Sequence, residues 1–182
     1  MTFEKTVTLK DGRNCLLRNG VTSDGKAVLD VFNRTHEETD YLLTYSDENR
    51  FTASQEADFL QRKTDSANNV EIIAVVDDVV AGTAGIDALG MRDKIKHRAV
   101  FGIAITKEFW GLGIGKYLME ACIECAREAG YLQLELEVVA ENERAVEMYR
   151  RAVFIEYGRN PKAFRLRTGE YQELIDMRLE LK

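Results

Sequence analysis

Two strongly apolar runs, 70–76 and 79–89, are joined by Asp77-Asp78. A two-residue link between such runs predicts a hairpin. Upstream, Thr6-Val7-Thr8-Leu9 and Asn14-Cys15-Leu16-Leu17-Arg18 alternate in part around Asp11-Gly12, which predicts a first hairpin. Ser23 or Asp24 can cap a helix reaching about Tyr41, with Ala27, Val28, Val31 and Phe32 on one face. Thr52 or Ser54 can cap a second helix, given an apolar side by Ala57, Phe59 and Leu60, which ends at Ala67-Asn68-Asn69. The segment 90–97 is polar and predicts a loop.

Phe101, Ile103 and Ile105 then alternate with Gly102, Ala104 and Thr106, as in a strand. Ile114, Leu118, Ala121, Cys122, Cys125 and Ala126 form a helical stripe that Gly130 stops. Leu132, Leu134, Leu136 and Val138 alternate with Gln133, Glu135, Glu137 and Val139, which predicts a half-buried strand. Asn142 can cap a further helix bearing Ala145, Met148, Tyr149 and Ala152 on one face. Two final strands are expected at 153–157 and 171–181, separated by a turn-rich segment with Asn160-Pro161 and Thr168-Gly169. This order predicts an α/β chain with a mixed sheet and helices on both faces.

Between the strand ending at Thr106 and the helix starting at Ile114 stand Gly111, Gly113 and Gly115. Closely spaced glycines let the backbone approach a ligand. A helix N-terminus presents free N–H groups and the positive end of the helix dipole. The stretch therefore predicts a phosphate site. It is not a Walker loop: Gly115-Lys116 is followed by Tyr117 rather than Ser or Thr, and Trp110 stands where the first glycine belongs. Nor is it a dinucleotide fingerprint, because Gly111-Leu112-Gly113-Ile114-Gly115 has the wrong spacing.

Composition narrows the setting. One domain over 1–182 is expected at this length, large enough to bury roughly 70% of its unfolded surface without a staple. The net charge of −6 argues against nucleic-acid binding driven by phosphate neutralisation. The N-terminus shows no signal-peptide pattern, and no apolar run approaches the ~18 residues of a membrane span. Three cysteines fit a reducing compartment, so a cytoplasmic protein is expected, without membrane or nucleic-acid partners.

Trp110-Gly111-Leu112-Gly113-Ile114-Gly115 resembles the acyl-CoA turn of the GNAT superfamily of N-acetyltransferases. Leu136-Glu137-Val138, followed by Asn142, Ala145, Tyr149 and Phe154, resembles a second segment of that family. The match in order and spacing spans about residues 13 to 181. It implies the GNAT acyl-CoA N-acyltransferase fold, a mostly antiparallel mixed sheet. It implies acetyl-CoA as co-substrate, with direct transfer to a primary amine in a ternary complex. The acceptor can be a small molecule or a protein, and nothing in the sequence selects one. A homodimer through the C-terminal strands is a family-level expectation. A non-catalytic acyl-CoA-binding module on the same fold is the competing reading.

The resemblance implies roles for individual residues. The strand Gly102–Thr106 would pair with the pantetheine arm, and N–H groups of Ile103, Ala104 and Ile105 would polarise the thioester carbonyl. Gly111, Gly113, Ile114, Gly115 and Lys116 would cradle the pyrophosphate. Trp110 replaces the usual Arg or Gln, so that side chain's polar contribution is expected to be lost. Tyr149 would be the general acid toward the departing thiolate. Asn142 would bind pantetheine or a water, or simply cap its helix. Glu137 resembles the base of ribosomal-protein alanine N-acetyltransferases, although a water chain can serve instead. Val153 replaces a common glycine, so the end of that helix is expected to differ in shape. Cys122 and Cys125 form C-x-x-C but lie in an apolar stripe, which reads as core rather than zinc or redox chemistry. His36, Glu37, Glu38 and Asp40 read as a solvated face, and Arg165 and Arg167 as surface residues.

Overall fold

The structure, a computed structural model, describes residues 1–181. Eight strands form one sheet: β1 (Glu4–Thr8), β2 (Asn14–Asn19), β3 (Val70–Val76), β4 (Val79–Ala88), β5 (Arg98–Ile105), β6 (Gln133–Val139), β7 (Ile155–Arg165) and β8 (Tyr171–Glu180). Their spatial order is β1-β2-β3-β4-β5-β6-β8-β7. All neighbours are antiparallel except β5 and β6. Helices α1 (Gly25–Glu38) and α2 (Ala53–Asp65) cover one face, where Val28 and Leu60 pack on Ile73. Helices α3 (Ile114–Glu128) and α4 (Glu143–Arg151) cover the other, which holds the larger core. Among the described residues no helix is long and apolar enough to cross a membrane.

Local chemistry explains most boundaries. Asp77 and Asp78 both take left-handed backbone, φ 49° and 63°, as the tight β3–β4 turn requires. Thr52 caps α2 in a reciprocal box: its hydroxyl accepts from Gln55 N–H at 3.3 Å, and the Gln55 side chain accepts from Thr52 N–H at 2.9 Å. Helix α1 stops at Glu38 rather than near Tyr41, and Thr39 is extended. The segment around Asn160-Pro161 is not a break. β7 runs through it as an edge strand with a register shift between Asn160 and Phe164, and an edge tolerates a proline that cannot donate to a ladder.

The α3 stripe is as expected. Leu118, Cys122, Cys125 and Ala126 are buried against the sheet. Burial raises the Cys125 thiol to about 12 and the Cys122 thiol well above its ordinary value, so both stay protonated and inert.

A carboxylate is also partly buried on the opposite face. Glu71 of β3 lies beneath α2, and a Cβ on Gly85 would stand 2.2 Å from one of its carboxylate oxygens. Burial raises the Glu71 carboxyl to about 7, opposed by the nearby Lys63 ammonium and a hydrogen bond from Thr83. A free glutamate titrates near ~4.3. The folded chain therefore holds the extra proton between those values, and its stability falls as pH rises through that window. Glu71→Gln mimics the protonated form. It is expected to raise Tm at about pH 8 and to change it little below about pH 4.5. Equal shifts at both values, read by thermal melts, would remove this explanation.

Candidate active site

The sheet opens at its centre. Strands β5 and β6 pair only from Arg98↔Gln133 to Val100↔Glu135. Beyond that point each continues along its other neighbour, β4 or β8. The hydrogen-bond alternation of antiparallel pairs shows which groups face the opening. Leu89 N–H donates to Arg98 carbonyl at 3.0 Å, and Thr106 N–H donates to Ala81 carbonyl at 3.1 Å. Val100, Gly102 and Ala104 therefore turn their main chain to β4, while Phe101, Ile103 and Ile105 turn theirs to the gap. Ala140 N–H donates to Glu173 carbonyl at 2.9 Å, and Leu181 N–H to Leu132 carbonyl at 2.8 Å. By the same alternation Glu135, Glu137 and Val139 face β5. The gap is thus edged by main-chain groups with no neighbouring strand.

This corrects one placement. Ala104 is not a donor into the gap, because its N–H belongs to the β4 ladder. Its methyl group instead lies on the α1/α2 face. The donors at the gap are the N–H groups of Ile103 and Ile105. The Ile105 carbonyl is occupied: the indole N–H of Trp110 donates to it at 2.6 Å. The polar contribution expected to be lost at Trp110 is therefore replaced by a bond that fixes the end of β5. The Trp110 ring is 39% exposed and carries two cations, Lys107 at 5.8 Å and Arg144 at 5.5 Å from its centroid.

The glycine turn follows directly. Gly111 and Gly113 take φ 87° and 96°, which other residues adopt at a cost. Gly113 is the N-cap of α3 and supplies no capping side chain. Main-chain N–H groups from Gly111 to Lys116 have no hydrogen-bond acceptor among the described residues. The first helical N–H bond back to this turn is that of Tyr117, to Gly113 carbonyl at 3.4 Å. A row of unpaired donors at a helix N-terminus fits a phosphate group. Gly115 has a further constraint, since a Cβ there would stand 3.1 Å from Met148 Sδ. Its missing side chain lets α4 approach α3.

Two cations beside the turn were not singled out from sequence. Lys10, in the loop after β1, has its Cε 3.9 Å from where a Gly113 Cβ would stand. Its N–H donates to Leu112 carbonyl at 3.2 Å, tying the first hairpin to the turn. No local pattern could have paired Lys10 with a glycine so far along the chain. Arg144 did carry a signal: it is a cation in the first turn of a helix, where the dipole disfavours one. With Lys107 and Lys116, these side chains make the turn locally positive on an acidic protein.

Tyr149 stands on the α4 side of the gap. Its ring packs edge-on to Phe101, 6.2 Å between centroids, and against Phe154 at 5.8 Å. The residue is buried, yet its hydroxyl has no hydrogen-bond partner among the described residues and it lines the cleft. Burial raises the phenol well above its ordinary value, so it stays protonated. Asn142 caps α4: its Oδ1 accepts from Ala145 N–H at 3.3 Å, which leaves the amide NH2 for a ligand. Glu137 is exposed on the α1/α2 face, with no ion pair or side-chain hydrogen bond among the described residues.

Val153 keeps the shape that its side chain disfavours. Its φ is 67°, and Phe154 N–H donates back to Tyr149 carbonyl at 3.0 Å, closing the end of α4 as a glycine would. A β-branched residue in this region is strained by about 1–3 kcal/mol. It is 71% exposed, so little burial offsets the strain. Val153→Gly is expected to stabilise the fold by about 1 kcal/mol, raising Tm by ~2–4 °C. A melt showing no gain would mean that the strain is relieved elsewhere.

On the α1/α2 face, Glu38 accepts from Lys107 N–H at 2.6 Å and pairs with Arg34 at 3.0 Å. Part of the expected solvated face thus anchors α1 to the end of β5. His36 stacks on Phe32 with centroids 3.8 Å apart. Arg167 does more than face solvent. Its guanidinium bonds Asp47 at 2.6 Å and lies 4.0 Å from the Tyr45 ring centroid, and its N–H donates to the Tyr45 hydroxyl at 3.1 Å. The turn after β7 and the loop after α1 therefore join above the cleft. The cleft measures about 2100 Å³ and is lined from both faces of the sheet. That exceeds the ~300–1,000 Å³ of most small-ligand pockets and leaves room for a nucleotide-sized ligand beside a second substrate.

Comparisons with known proteins agree with this fold. A GNAT-family acetyltransferase from Streptococcus pneumoniae is 26% identical, with a TM-score of 0.87 over 91% of this chain and 99% of that one. The acetyltransferase yncA of Salmonella typhimurium, described as putative and solved with its cofactor acetyl-CoA, is 16% identical. Its TM-score is 0.82 over 93% of this chain and 95% of that one. A GNAT superfamily phosphinothricin acetyltransferase from Sinorhizobium meliloti, in complex with AcCoA, is 17% identical. Its TM-score is 0.81 over 96% of this chain and 89% of that one. The last two likenesses are of fold. Residues 30–153, more than half of the chain, match the model of the acetyltransferase (GNAT) family, and the chain belongs to that family.

Proposed function

We propose that this chain is an acetyl-CoA-dependent N-acetyltransferase that moves the acetyl group directly to a primary amine within a ternary complex. The observation that carries this reading is the gap: pairing of β5 and β6 ends at Val100 and Glu135, and the unpaired glycine turn lies at the end of the opened strand. Such a gap suits an arm that carries amides and must reach through a sheet. The pyrophosphate would take the N–H groups from Gly111 to Lys116, with Lys10 and Arg144 alongside. The pantetheine arm would pair with the main chain of Ile103, and the Asn142 amide would contact it from α4.

Chemistry would occur where the arm meets the α1/α2 face. The Ile103 or Ile105 N–H would hydrogen-bond the thioester oxygen as it gains charge. The amine nitrogen attacks the thioester carbon and the carbon–sulfur bond breaks. The amine loses one proton to Glu137, directly or through water, and the departing thiolate takes one from Tyr149. Because no covalent enzyme intermediate is involved, both substrates must be bound together. Release of free thiol from acetyl-CoA across a panel of amines tests this. Release that depends on the amine supports transfer, whereas binding of acetyl-CoA without turnover on any amine would favour a non-catalytic acyl-CoA-binding module.

A further inference from the structure

The cationic residues that line the cleft, Lys10, Lys116, Arg127, Arg144 and Arg151, are all at the glycine turn, on α3 or on α4, where Glu120, Glu124, Glu143 and Glu147 accompany them. The half under α1 has no cation among its lining residues. Its charged members are Glu135 and Glu137. Arginines near that half are engaged elsewhere. Arg98 gives both arms of its guanidinium to Glu135, with one contact at 2.6 Å. Arg178 lies over the Tyr157 ring at 5.6 Å, and Arg167 is held by Asp47.

Glu137 has no such partner. Its cross-strand neighbour is Asp176, a second carboxylate, which also lacks an ion pair among the described residues. Ile175 and Met177 belong to the core under α3 and α4, so alternation puts Asp176 on the same face as Glu137. Around Glu137 the walls of the cleft are apolar: Tyr41, Leu43, Leu89, Val100, Tyr157 and Phe164. Leu43 is 80% exposed, and Tyr41, Leu89, Val100 and Tyr157 are also exposed. Uncovered apolar side chains clustered at one mouth mark a binding surface rather than scattered surface residues.

We propose that the acceptor is a small primary amine on an apolar, aromatic-bearing body, with no carboxylate, phosphate or phosphinate near the amino group. This rests on the reading of the cleft as an N-acetyltransferase site. An ammonium group is drawn to Glu137, which lines the cleft with Asp176 across the strand pair behind it, and its body covers the apolar walls. An anionic group close to the amine would face Glu137 with no cation among the residues lining that half, and unpaired like charges in a partly dry site are disfavoured. An amino acid is therefore a poor acceptor, and a polycation without an apolar body leaves the walls uncovered.

The test is calorimetry on the protein saturated with CoA, which gives a dead-end complex and requires no turnover. The probes are 2-phenylethylamine, phenylalaninamide, phenylalanine and spermidine. 2-Phenylethylamine and phenylalaninamide are expected to bind at least about tenfold more tightly than phenylalanine, a difference of ~1.4 kcal/mol. Spermidine is expected to bind more weakly than 2-phenylethylamine. Glu137→Gln should narrow the gap between phenylalaninamide and phenylalanine, and Leu43→Asp should weaken 2-phenylethylamine. Phenylalanine binding as well as its amide overturns the proposal, as does spermidine binding best or no probe binding at all. A peptide amine that outbinds 2-phenylethylamine overturns the assignment to a small acceptor. Discrimination among amines without thiol release would sink the transfer reading and leave the acceptor class standing. Thiol release without discrimination would do the reverse.

Discussion

Tyr149→Phe is expected to lower kcat about 10²-fold while leaving the affinity for acetyl-CoA unchanged. The substitution removes one oxygen and keeps the ring. Packing against Phe101 and Phe154 therefore persists, and no protein hydrogen bond is lost, because the hydroxyl has none among the described residues. The residue is buried, but its hydroxyl is not among the buried side-chain atoms left without a partner, and the residue lines the cleft, so the hydroxyl is open to a ligand. Burial also holds the phenol protonated, the state a donor to thiolate requires. Fluorescence titration with acetyl-CoA would separate binding from chemistry. Equal loss in both would make Tyr149 part of the binding wall, and no loss in either would remove it from the site.

The second large effect is expected at the glycine turn. Gly113→Asp is expected to weaken acetyl-CoA binding by about 10² or more. It places a carboxylate at the N-cap of α3, where the unpaired N–H groups converge. That carboxylate would accept those N–H groups itself and repel the pyrophosphate, and each effect is worth several-fold or more. Asp is among the residues that tolerate left-handed backbone, and it is a good capping residue. The fold should therefore survive with a Tm within a few degrees of the parent. Calorimetry with acetyl-CoA, paired with a thermal melt, reads both quantities. Unchanged affinity would show that the phosphates lie elsewhere, whatever the melt records.

Local features were legible from the chain and distant ones were not. The Asp77-Asp78 hairpin, the Thr52 cap and the α3 stripe each depend on neighbours a few residues away, so pattern alone located them. The glycine turn was legible for the same reason, and the second segment from Leu136 to Phe154 gave it a partner. The gap between β5 and β6 was not visible in periodicity, because it depends on where two distant strands stop pairing. The resemblance implied that the strand Gly102–Thr106 would pair with the pantetheine arm, and alternation along each strand then separated Ile103 and Ile105 from Ala104. That the indole N–H of Trp110 bonds the main chain of Ile105 was not legible, because it depends on how the chain turns back after β5. Proline at 161 suggested a break, but its strand is at an edge, where a missing donor costs little. That no cation lines the half of the cleft under α1 depends on how distant strands and loops are brought together. Only the fold reveals that.

The central claim is that one cleft holds acetyl-CoA and an amine together and transfers the acetyl group between them. Initial rates of thiol release, with acetyl-CoA and 2-phenylethylamine varied independently, test it most directly. The account predicts release only when the amine is present, with double-reciprocal lines that intersect, as a ternary complex requires. Parallel lines would point to an acetylated enzyme and contradict direct transfer. Saturable binding of acetyl-CoA with no amine-dependent release, on this or any other amine, would contradict catalysis itself.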